Sequence, residues 1–376
     1  MIPFRPENRP GSRILFTPGP LTTTPSVRGA MDQDIGSWDR DAIELVAEVR
    51  AGILALAGGR ADYTTTLIQG SGSYAIESIL GSALPRDGKL LILSNGAYGR
   101  RMRLTADALR IPYCLHEDPE DRPHDPAVVD QLLRADPSIT HVGCVHCETT
   151  AGLLNPLREV GLVVKQHGRR FIADVISSFG AYEVGPGRPI DLDAGPIDHL
   201  AGSANKCIEG VPGFAFVISR RDAMERATGT ARSLCLDLHA QWSHFEKTGQ
   251  FRFTPPTHVL LAFRQALREL EAEGGPPARA IRYRESQETL AAGMRKLGFR
   301  PYVSPEHQSH IITTFHYPEA DFDFRSFYDR LHKRGYILYP GKLTAVNTFR
   351  IANIGSIGRR EIESLLGAIA EVRGGL

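Results

Sequence analysis

The sequence predicts an α/β fold in which a mostly parallel sheet lies between helices. From about residue 63 to residue 220, short apolar runs alternate with longer amphipathic stretches, a pattern typical of strands joined by helices. The apolar runs are continuous rather than interrupted by polar residues, which indicates strands that are buried on both faces. The chain has 376 residues, of which 42% are hydrophobic, so it can build a large core and more than one domain.

Five strands and four helices are predicted for this region. The strands cover residues 65–68, 89–93, 141–145, 171–173 and 213–218. The helices cover residues 74–83, 98–109, 126–133 and 157–166. Helix-length segments between consecutive strands are what parallel pairing requires.

A second, smaller α/β domain is predicted towards the C-terminus. A helical pattern over residues 257–273 stops at a Gly-Gly-Pro-Pro break, residues 274–277, a strong helix terminator. Helices are then expected at 283–296, 324–334 and the C-terminus, with strands at 310–315, 336–339 and 348–351. We therefore expect an N-terminal segment, 1–30, that packs on the domains, a large domain, 31–270, and a small domain, 271–376.

Composition and charge narrow the class of protein. The chain has 44 Lys and Arg against 43 Asp and Glu, so it offers no broad field for nucleic acid or an acidic membrane. No run approaches the roughly 20 apolar residues of a membrane-spanning helix, and residues 1–13 lack the apolar core of a secretory signal. Five cysteines, an odd and sparse set, suit a reducing compartment. We expect a soluble cytoplasmic enzyme with no nucleic-acid or membrane partner.

One pair of cysteines has the spacing of a metal site. Cys144 and Cys147 are three residues apart, but on a strand such positions point to opposite faces of the sheet. They could not share a metal without a break in the strand. We therefore expect a structural role and no bound metal.

Four short stretches carry side chains suited to chemistry, and the first is the glycine- and serine-rich segment 69–75. It follows a predicted strand and opens a predicted helix. Glycines let the backbone approach an anion, and the helix start supplies free N–H groups and a positive dipole end. The alternative is a tight strand-to-helix turn in which Ser71 and Ser73 act as caps.

The second and third stretches carry a carboxylate and an amine. Asp174 follows the strand 171–173, at the sheet edge where ligands of open α/β sheets bind, and a buried carboxylate needs a cation or a protonated heterocycle as partner. Lys206 lies in the stretch 201–213, which is rich in small residues. A weakly polar surrounding lowers the pKa of a lysine, as a Schiff-base amine requires. A turn carboxylate and a surface lysine are the alternatives.

The fourth stretch, residues 347–355, contains Arg350 between apolar neighbours on a predicted strand. An arginine in this setting suits a bidentate grip on a carboxylate or a phosphonate; an interdomain salt bridge is the alternative. An anion cradle, a strand-end carboxylate, a lysine and a distal arginine are together the parts that pyridoxal phosphate chemistry requires.

With these residues in place, the sequence resembles the class V, fold type I aminotransferases, and most closely the branch that acts on 2-aminoethylphosphonate and pyruvate. The resemblance spans nearly the whole chain. The matching stretches are residues 16–24, 69–75, 94–99, 146–150, 203–207, 253–258, 339–342 and 349–351. It implies a large domain with a seven-stranded type of sheet.

The resemblance also implies roles for individual residues. Lys206 would form the Schiff base with pyridoxal 5'-phosphate and then move the substrate proton, and Asp174 would pair with the pyridinium nitrogen. Tyr98 would stack on the ring, a role that its aromatic body suits, and Thr149 would bond near the phenolic oxygen. The cofactor phosphate would be held by Ser71, Gly72, Ser73 and Asn205.

The remaining implied residues concern the substrate and a second subunit. Arg350 would grip the anionic end of either substrate, 2-aminoethylphosphonate or pyruvate. Thr254 would reach the cofactor phosphate of the other subunit, which implies a homodimer with shared active sites. The implied reaction is an amino-group transfer that yields phosphonoacetaldehyde and L-alanine.

Three departures from this branch lie near the implied site: residues 35–37, the loop 183–189 and Ala151. They leave other amino donors open, as in an alanine or serine:glyoxylate aminotransferase or a related lyase. A non-catalytic protein that binds the same cofactor is the third hypothesis.

Overall fold

Seven strands form the central sheet of the computed structural model, which describes residues 13–193 and 197–374. The strands of all the described sheets, in chain order, are β1 (Ile14–Leu15), β2 (Tyr63–Gln69), β3 (Lys89–Ser94), β4 (Tyr113–Glu117), β5 (Ile139–Val145), β6 (Cys147–Glu148), β7 (Leu153–Leu154), β8 (Arg170–Asp174), β9 (His199–Ser203), β10 (Phe214–Arg220), β11 (Ile312–His316), β12 (Tyr336–Ile337), β13 (Tyr339–Pro340) and β14 (Thr348–Ala352). The order in the central sheet is β2-β10-β9-β8-β5-β3-β4. Only β10 runs antiparallel to its neighbours, so the predicted α/β class with a mostly parallel sheet is confirmed.

Helices cover this sheet and link its strands. They are α1 (Pro25–Gly29), α2 (Arg40–Leu56), α3 (Gly72–Ala83), α4 (Ala97–Ala108), α5 (Pro126–Ala135), α6 (Leu157–Gln166), α7 (Arg221–Arg226), α8 (Leu238–Thr248), α9 (Thr257–Glu273), α10 (Gly275–Lys296), α11 (Phe324–Lys333) and α12 (Arg359–Gly374). None of the described helices is long and apolar enough to span a bilayer.

Two strands of the central sheet, β4 and β9, were not predicted, and neither were the short strands β6 and β7 or the helices α1, α2, α7 and α8. The edge strand β4 is only half-buried and mixes polar with apolar residues, and β9 (His-Leu-Ala-Gly-Ser) lacks β-branched residues. Both therefore lack the usual strand signal. Helix α2 was also missed, although Ala42, Leu45, Val49 and Ile53 recur at helical spacing and are buried.

A smaller sheet with the antiparallel order β11-β14-β13 follows in the C-terminal part. Its apolar residues, with those of α10, α11 and α12, form a second buried cluster. The predicted break at 274–277 is confined to two glycines with positive φ, Gly274 and Gly275, and α10 already begins at Gly275, because proline is compatible with a first helical turn. The strand predicted at 336–339 is divided between β12 and β13, which pair with different partners.

Of the predicted N-terminal segment, residues 1–12 lie outside the described residues. From Ile14 it contacts both halves of the chain. Strand β1 pairs in parallel with β12, and Phe16 is buried in the C-terminal cluster. Leu21 and Val27 are buried in the cluster under the central sheet. The segment therefore ties the two cores together, and the domain boundaries stay a prediction.

Candidate active site

The carboxyl ends of four strands open on one edge of the central sheet. Strand β2 leads into the glycine- and serine-rich segment 70–73, and β3 leads into Tyr98. Strand β8 ends at Asp174, and β9 leads into Lys206. Because parallel strands end at the same edge, segments far apart in the chain meet there.

A cavity of about 590 Å³ lies at this edge. It brings together most of the residues that the sequence singled out. Those that line it are Ser71, Gly72, Ser73, Tyr98, Asp174, Asn205 and Lys206. Thr149, Thr254 and Arg350 belong to its surroundings and are described below.

Lys206 is partly buried and borders the cavity. Its Nζ donates a hydrogen bond to the carbonyl of Pro18. Gly19, which follows Pro18, has φ +113°, and a Cβ there would lie 2.8 Å from the Nζ of Lys206. Glycine is therefore required at this position. Removal from water lowers the pKa of Lys206 to about 8, so a substantial fraction of the amine is unprotonated near neutral pH.

Asp174 is buried at the end of β8. Its Oδ1 accepts a hydrogen bond from the backbone N–H of Ile176 at 3.0 Å. Burial raises the pKa of this carboxyl to about 7, and the nearby Glu148 carboxylate acts in the same direction. A cationic partner in the cavity would stabilise the charged form of this carboxylate.

The cradle is formed by the first residues of α3. Ser71 is the N-cap residue, but its side chain does not cap the helix, so its hydroxyl can face an anion instead. The start of a 12-residue helix adds free N–H groups and a positive dipole end. Arg101 donates from Nη1 to the Ser73 hydroxyl at 3.0 Å, and this guanidinium lies 4.9 Å from the centre of the Tyr98 ring.

Glu148 is a buried carboxylate behind Tyr98 that was not predicted as a site residue. It accepts from the backbone N–H of Tyr98 at 3.0 Å and from the Thr150 hydroxyl. A Cβ on Gly96 would lie 2.3 Å from this side chain, so the glycine permits the contact. Burial raises the pKa of Glu148.

Thr149, beside Glu148, holds a hydroxyl with no hydrogen-bond partner. The atom is fully buried, and no described residue pairs with it. Because buried polar groups are normally bonded, this hydroxyl is available for a ligand.

Arg350 lies on β14 of the small sheet and is 2% exposed. Its Nε donates to the Pro340 carbonyl at 3.0 Å, and its Nη1 donates to the Thr149 carbonyl at 3.1 Å. Both partners are neutral backbone groups, so these bonds hold the side chain without cancelling its charge. The alternative considered for this arginine, a salt bridge, is not found among the described residues; its contact with Thr149 is a hydrogen bond to a carbonyl, which leaves the cation available to an anion.

Thr254 does not line the cavity that holds Lys206. It is exposed and borders a neighbouring cavity with Ser37 and Trp38. Its carbonyl accepts from the side chain of Gln69, the residue before the cradle. Within this chain Thr254 therefore lies next to the cradle but lines a different cavity.

One of the three departures lines one of these cavities. Ile35 and Ser37 line the same cavity as Thr254. Ala151 is buried in a small cluster with Leu153 and Val303. Within the described part of the chain, the loop 183–189 contributes no residue to either cavity.

Arg101 and Glu148 are the residues of the site that sequence reasoning missed. A signal existed for Arg101, since it follows Tyr98 by three positions on a helix and so shares its face. For Glu148 the signal was its place in the matching stretch 146–150. Neither contact is visible in the local sequence, because Glu148 bonds a residue 50 positions away, Tyr98, and Arg101 bonds one 28 positions away, Ser73.

The class V aminotransferase model matches residues 26–359. A protein of Pseudomonas putida (strain GB-1), named 2-aminoethylphosphonate–pyruvate transaminase, is 48% identical over 360 residues and 96% of each chain. A protein of the same name from Syntrophobacter fumaroxidans is 48% identical over 365 residues, again 96% of each chain. The chain belongs to the class V aminotransferases.

Solved structures of this family share the fold at much lower identity. The pyridoxamine–pyruvate aminotransferase of Mesorhizobium loti superposes with a TM-score of 0.87 at 22% identity, over 99% of this chain and 94% of that one. An alanine–glyoxylate aminotransferase of Nostoc sp. also has a TM-score of 0.87, at 23% identity, over 96% and 95%. The fold is therefore the one that fold type I aminotransferases share.

The cofactor of class V aminotransferases is pyridoxal phosphate, and this chain uses it. The site fits the group on four observations. A helix start with free N–H groups suits the phosphate, and the buried Asp174 needs a cationic partner such as a pyridinium. The amine of Lys206 has a lowered pKa, and the unpaired hydroxyl of Thr149 supplies a further hydrogen bond.

Proposed function

We propose that this aminotransferase moves the amino group of 2-aminoethylphosphonate to pyruvate, giving phosphonoacetaldehyde and L-alanine. The observation that carries the proposal is the identity of 46 to 48% to proteins named for this reaction, over about 96% of the chain. Arg350 supports it, because a buried guanidinium held by neutral carbonyls can serve both anionic substrates.

Bound pyridoxal phosphate supplies the carbonyl that accepts an amino group and a ring that withdraws electrons. Lys206 provides the amine that takes the proton from the substrate carbon bearing the amino group. It then gives this proton to the cofactor carbon that is bonded to the transferred nitrogen. Its lowered pKa makes the free base available near neutral pH. Asp174, as a carboxylate, keeps a proton on the ring nitrogen, and the buried setting strengthens that interaction.

The other residues would hold and orient the cofactor. Ser71, Ser73 and the Gly72 backbone, with Asn205, would bind the phosphate at the start of α3. Tyr98 would cover the ring, and its backbone is fixed by the buried carboxylate of Glu148. The Thr149 hydroxyl, which no described residue bonds, would donate to the phenolic oxygen of the cofactor.

We also propose that the enzyme is a cytoplasmic homodimer with shared sites. Thr254 is exposed beside the cradle but faces a separate cavity, as expected of a residue that serves a partner subunit. Mixing inactive Lys206→Ala with Thr254→Ala tests this. If Thr254 acts across the interface, hybrid dimers contain one site with both residues intact and regain tight cofactor binding there. A mixture no better than its two components contradicts the shared site.

The reaction is tested first by an absorbance spectrum of the purified holoenzyme. The lysine-bound cofactor absorbs at roughly 400–430 nm. Adding 2-aminoethylphosphonate without a keto acid should reduce this band as the aminated cofactor accumulates, and pyruvate should restore it. A band that ignores this donor but falls with alanine or serine would move the function to another class V aminotransferase. Cofactor binding with no response to any donor would favour the non-catalytic alternative.

A further inference from the structure

Lys342 occupies the turn that connects the strand carrying Arg350 to its neighbour. Tyr339 lies opposite Arg350 in the pairing of β13 with β14, and the N–H of Gly341 bonds the Thr348 carbonyl at 2.9 Å. The Pro340 carbonyl, which accepts from Arg350, is two residues before Lys342. The position of Lys342 is thus fixed relative to the guanidinium that would grip the substrate.

The turn is held on the side away from the strands as well. Leu343 packs against the cluster that contains Ala151 and Val303. The backbone N–H of Thr344 donates to Glu120 Oε2 at 3.0 Å, and Glu120 also pairs with Arg100 on α4. These contacts anchor Lys342 between the small sheet and the helix that carries Tyr98 and Arg101.

The charges that act on Lys342 are mostly positive. Arg350 and Arg101 repel its ammonium, and the carboxylate of Glu148 attracts it. Glu148 is already engaged by the N–H of Tyr98 and by Thr150, whereas Arg101 is directed at Ser73 in the phosphate cradle. Arg101 is engaged by the cradle, so of these three cations Arg350 and Lys342 are left for a substrate.

The two substrates differ in charge. A carboxylate carries one negative charge, whereas a phosphonate, like a phosphate monoester, loses a second proton near pH 6 to 7 and then carries nearly two. Arg350 matches the single charge of pyruvate. The second charge of 2-aminoethylphosphonate requires another cation, and an ammonium suits a tetrahedral anion as a point charge.

We propose that Lys342 is a specificity-determining residue, which binds the second charge of the phosphonate and contributes little to pyruvate binding. The inference rests on the proposed function. It assigns discrimination between the two substrates to a residue outside the cofactor cavity.

The test uses Lys342→Gln, Lys342→Arg and a matched control, Lys333→Gln. Lys333 is exposed at the end of α11, so the control changes the net charge equally, away from the turn. The two half-reactions are measured separately. Lys342→Gln should lower kcat/KM for 2-aminoethylphosphonate about 10- to 100-fold, chiefly by raising KM, because a charge-assisted hydrogen bond is lost. It should change kcat/KM for pyruvate less than about 3-fold, and Lys342→Arg should recover most of the loss.

A binding measurement separates recognition from turnover. Ethylphosphonate and propionate lack an amino group and differ in the anionic end, so calorimetry on the holoenzyme gives their dissociation constants without reaction. Lys342→Gln should weaken ethylphosphonate binding about tenfold or more and leave propionate unchanged. An equal loss for both ligands, or none for either, overturns the role of Lys342. Wild-type enzyme that does not convert 2-aminoethylphosphonate overturns the proposed function itself, a different result.

Discussion

Lys206 and Arg350 are two basic residues of the candidate site, held in contrasting ways. Lys206 borders the cavity, bonds the Pro18 carbonyl and has its pKa lowered to about 8 by burial. Arg350 is 2% exposed and is fixed by the carbonyls of Pro340 and Thr149. An amine with a lowered pKa can give up its proton and react, whereas a guanidinium stays charged. The large sheet therefore supplies reactivity and the small sheet supplies a permanent charge.

The largest effect is expected from Lys206→Ala. Without the amine, the substrate carbon has no base positioned to take its proton, so turnover should fall at least about 10³-fold. Cofactor should still bind through the cradle, and steady-state assays with equilibrium dialysis check both. Near-normal turnover by this variant would show that another group performs the proton transfer.

Asp174→Asn should have the next largest effect, about 10²- to 10³-fold on kcat. An amide cannot carry the charge that keeps the ring nitrogen protonated. The measurement is kcat for both half-reactions at saturating cofactor. An equal kcat would place the ring nitrogen away from Asp174.

The same substitution should stabilise the cofactor-free protein. The pKa of Asp174 in the folded protein is about 7, against an ordinary value of 3.8. Between these two pH values the folded state binds more protons than the unfolded state, so stability is lost as the pH rises from about 4 to 7. At pH 8 the free energy of unfolding of apo Asp174→Asn should exceed that of apo wild type by on the order of 4 kcal/mol, and near pH 4 the two should be alike. Denaturant titrations at both pH values measure this, and a difference that does not change with pH would contradict the raised pKa.

Arg350→Lys tests whether the small sheet contributes more than a charge. A lysine keeps the cation but cannot reproduce the planar fork, so kcat/KM should fall about 10- to 100-fold for 2-aminoethylphosphonate and pyruvate alike. This pattern contrasts with Lys342→Gln, which should affect the phosphonate only. A loss confined to one substrate would show that the two anions do not share Arg350.

The smallest effect concerns the pH dependence of Lys206 itself. Its free-base fraction should rise about tenfold per pH unit below pH 8 and level off above it. Reconstituting apoprotein with pyridoxal phosphate over a pH series, trapping with borohydride and mapping the labelled peptide follows this reaction. A yield that keeps rising to about pH 10 would indicate an ordinary lysine.

Much of the fold could be predicted because burial leaves a periodic signal. The helix predicted at 257–273 has those bounds in the structure, since its apolar residues repeat at helical spacing and glycine follows. Strand β9 could not be predicted, because His199–Ser203 is a strand only through pairing with β8 and β10. Strand β4 is an edge strand with a mixed pattern, which local sequence does not distinguish from a loop.

The site shows the same division. Asp174 and Lys206 could be singled out because a carboxylate at a strand end and a lysine among small residues are locally unusual. Lys342 could not, since exposed basic residues are common and only its neighbours in the fold distinguish it. Arg101 shares a helix face with Tyr98, but its contact with Ser73 is seen only in the structure. The contact of Arg350 with Thr149 joins residues 201 positions apart, a distance that no local pattern encodes.

The sequence by itself determined the fold class, the cradle, the strand-end carboxylate and the lysine, because each depends on the chemistry of a few consecutive residues. Only the tertiary structure decided the pKa of Lys206, the unpaired hydroxyl of Thr149 and the cationic surroundings of Lys342. These properties depend on burial and on charges carried by distant strands. Desolvation and Coulomb interactions act through space, so they exist only once the chain has folded.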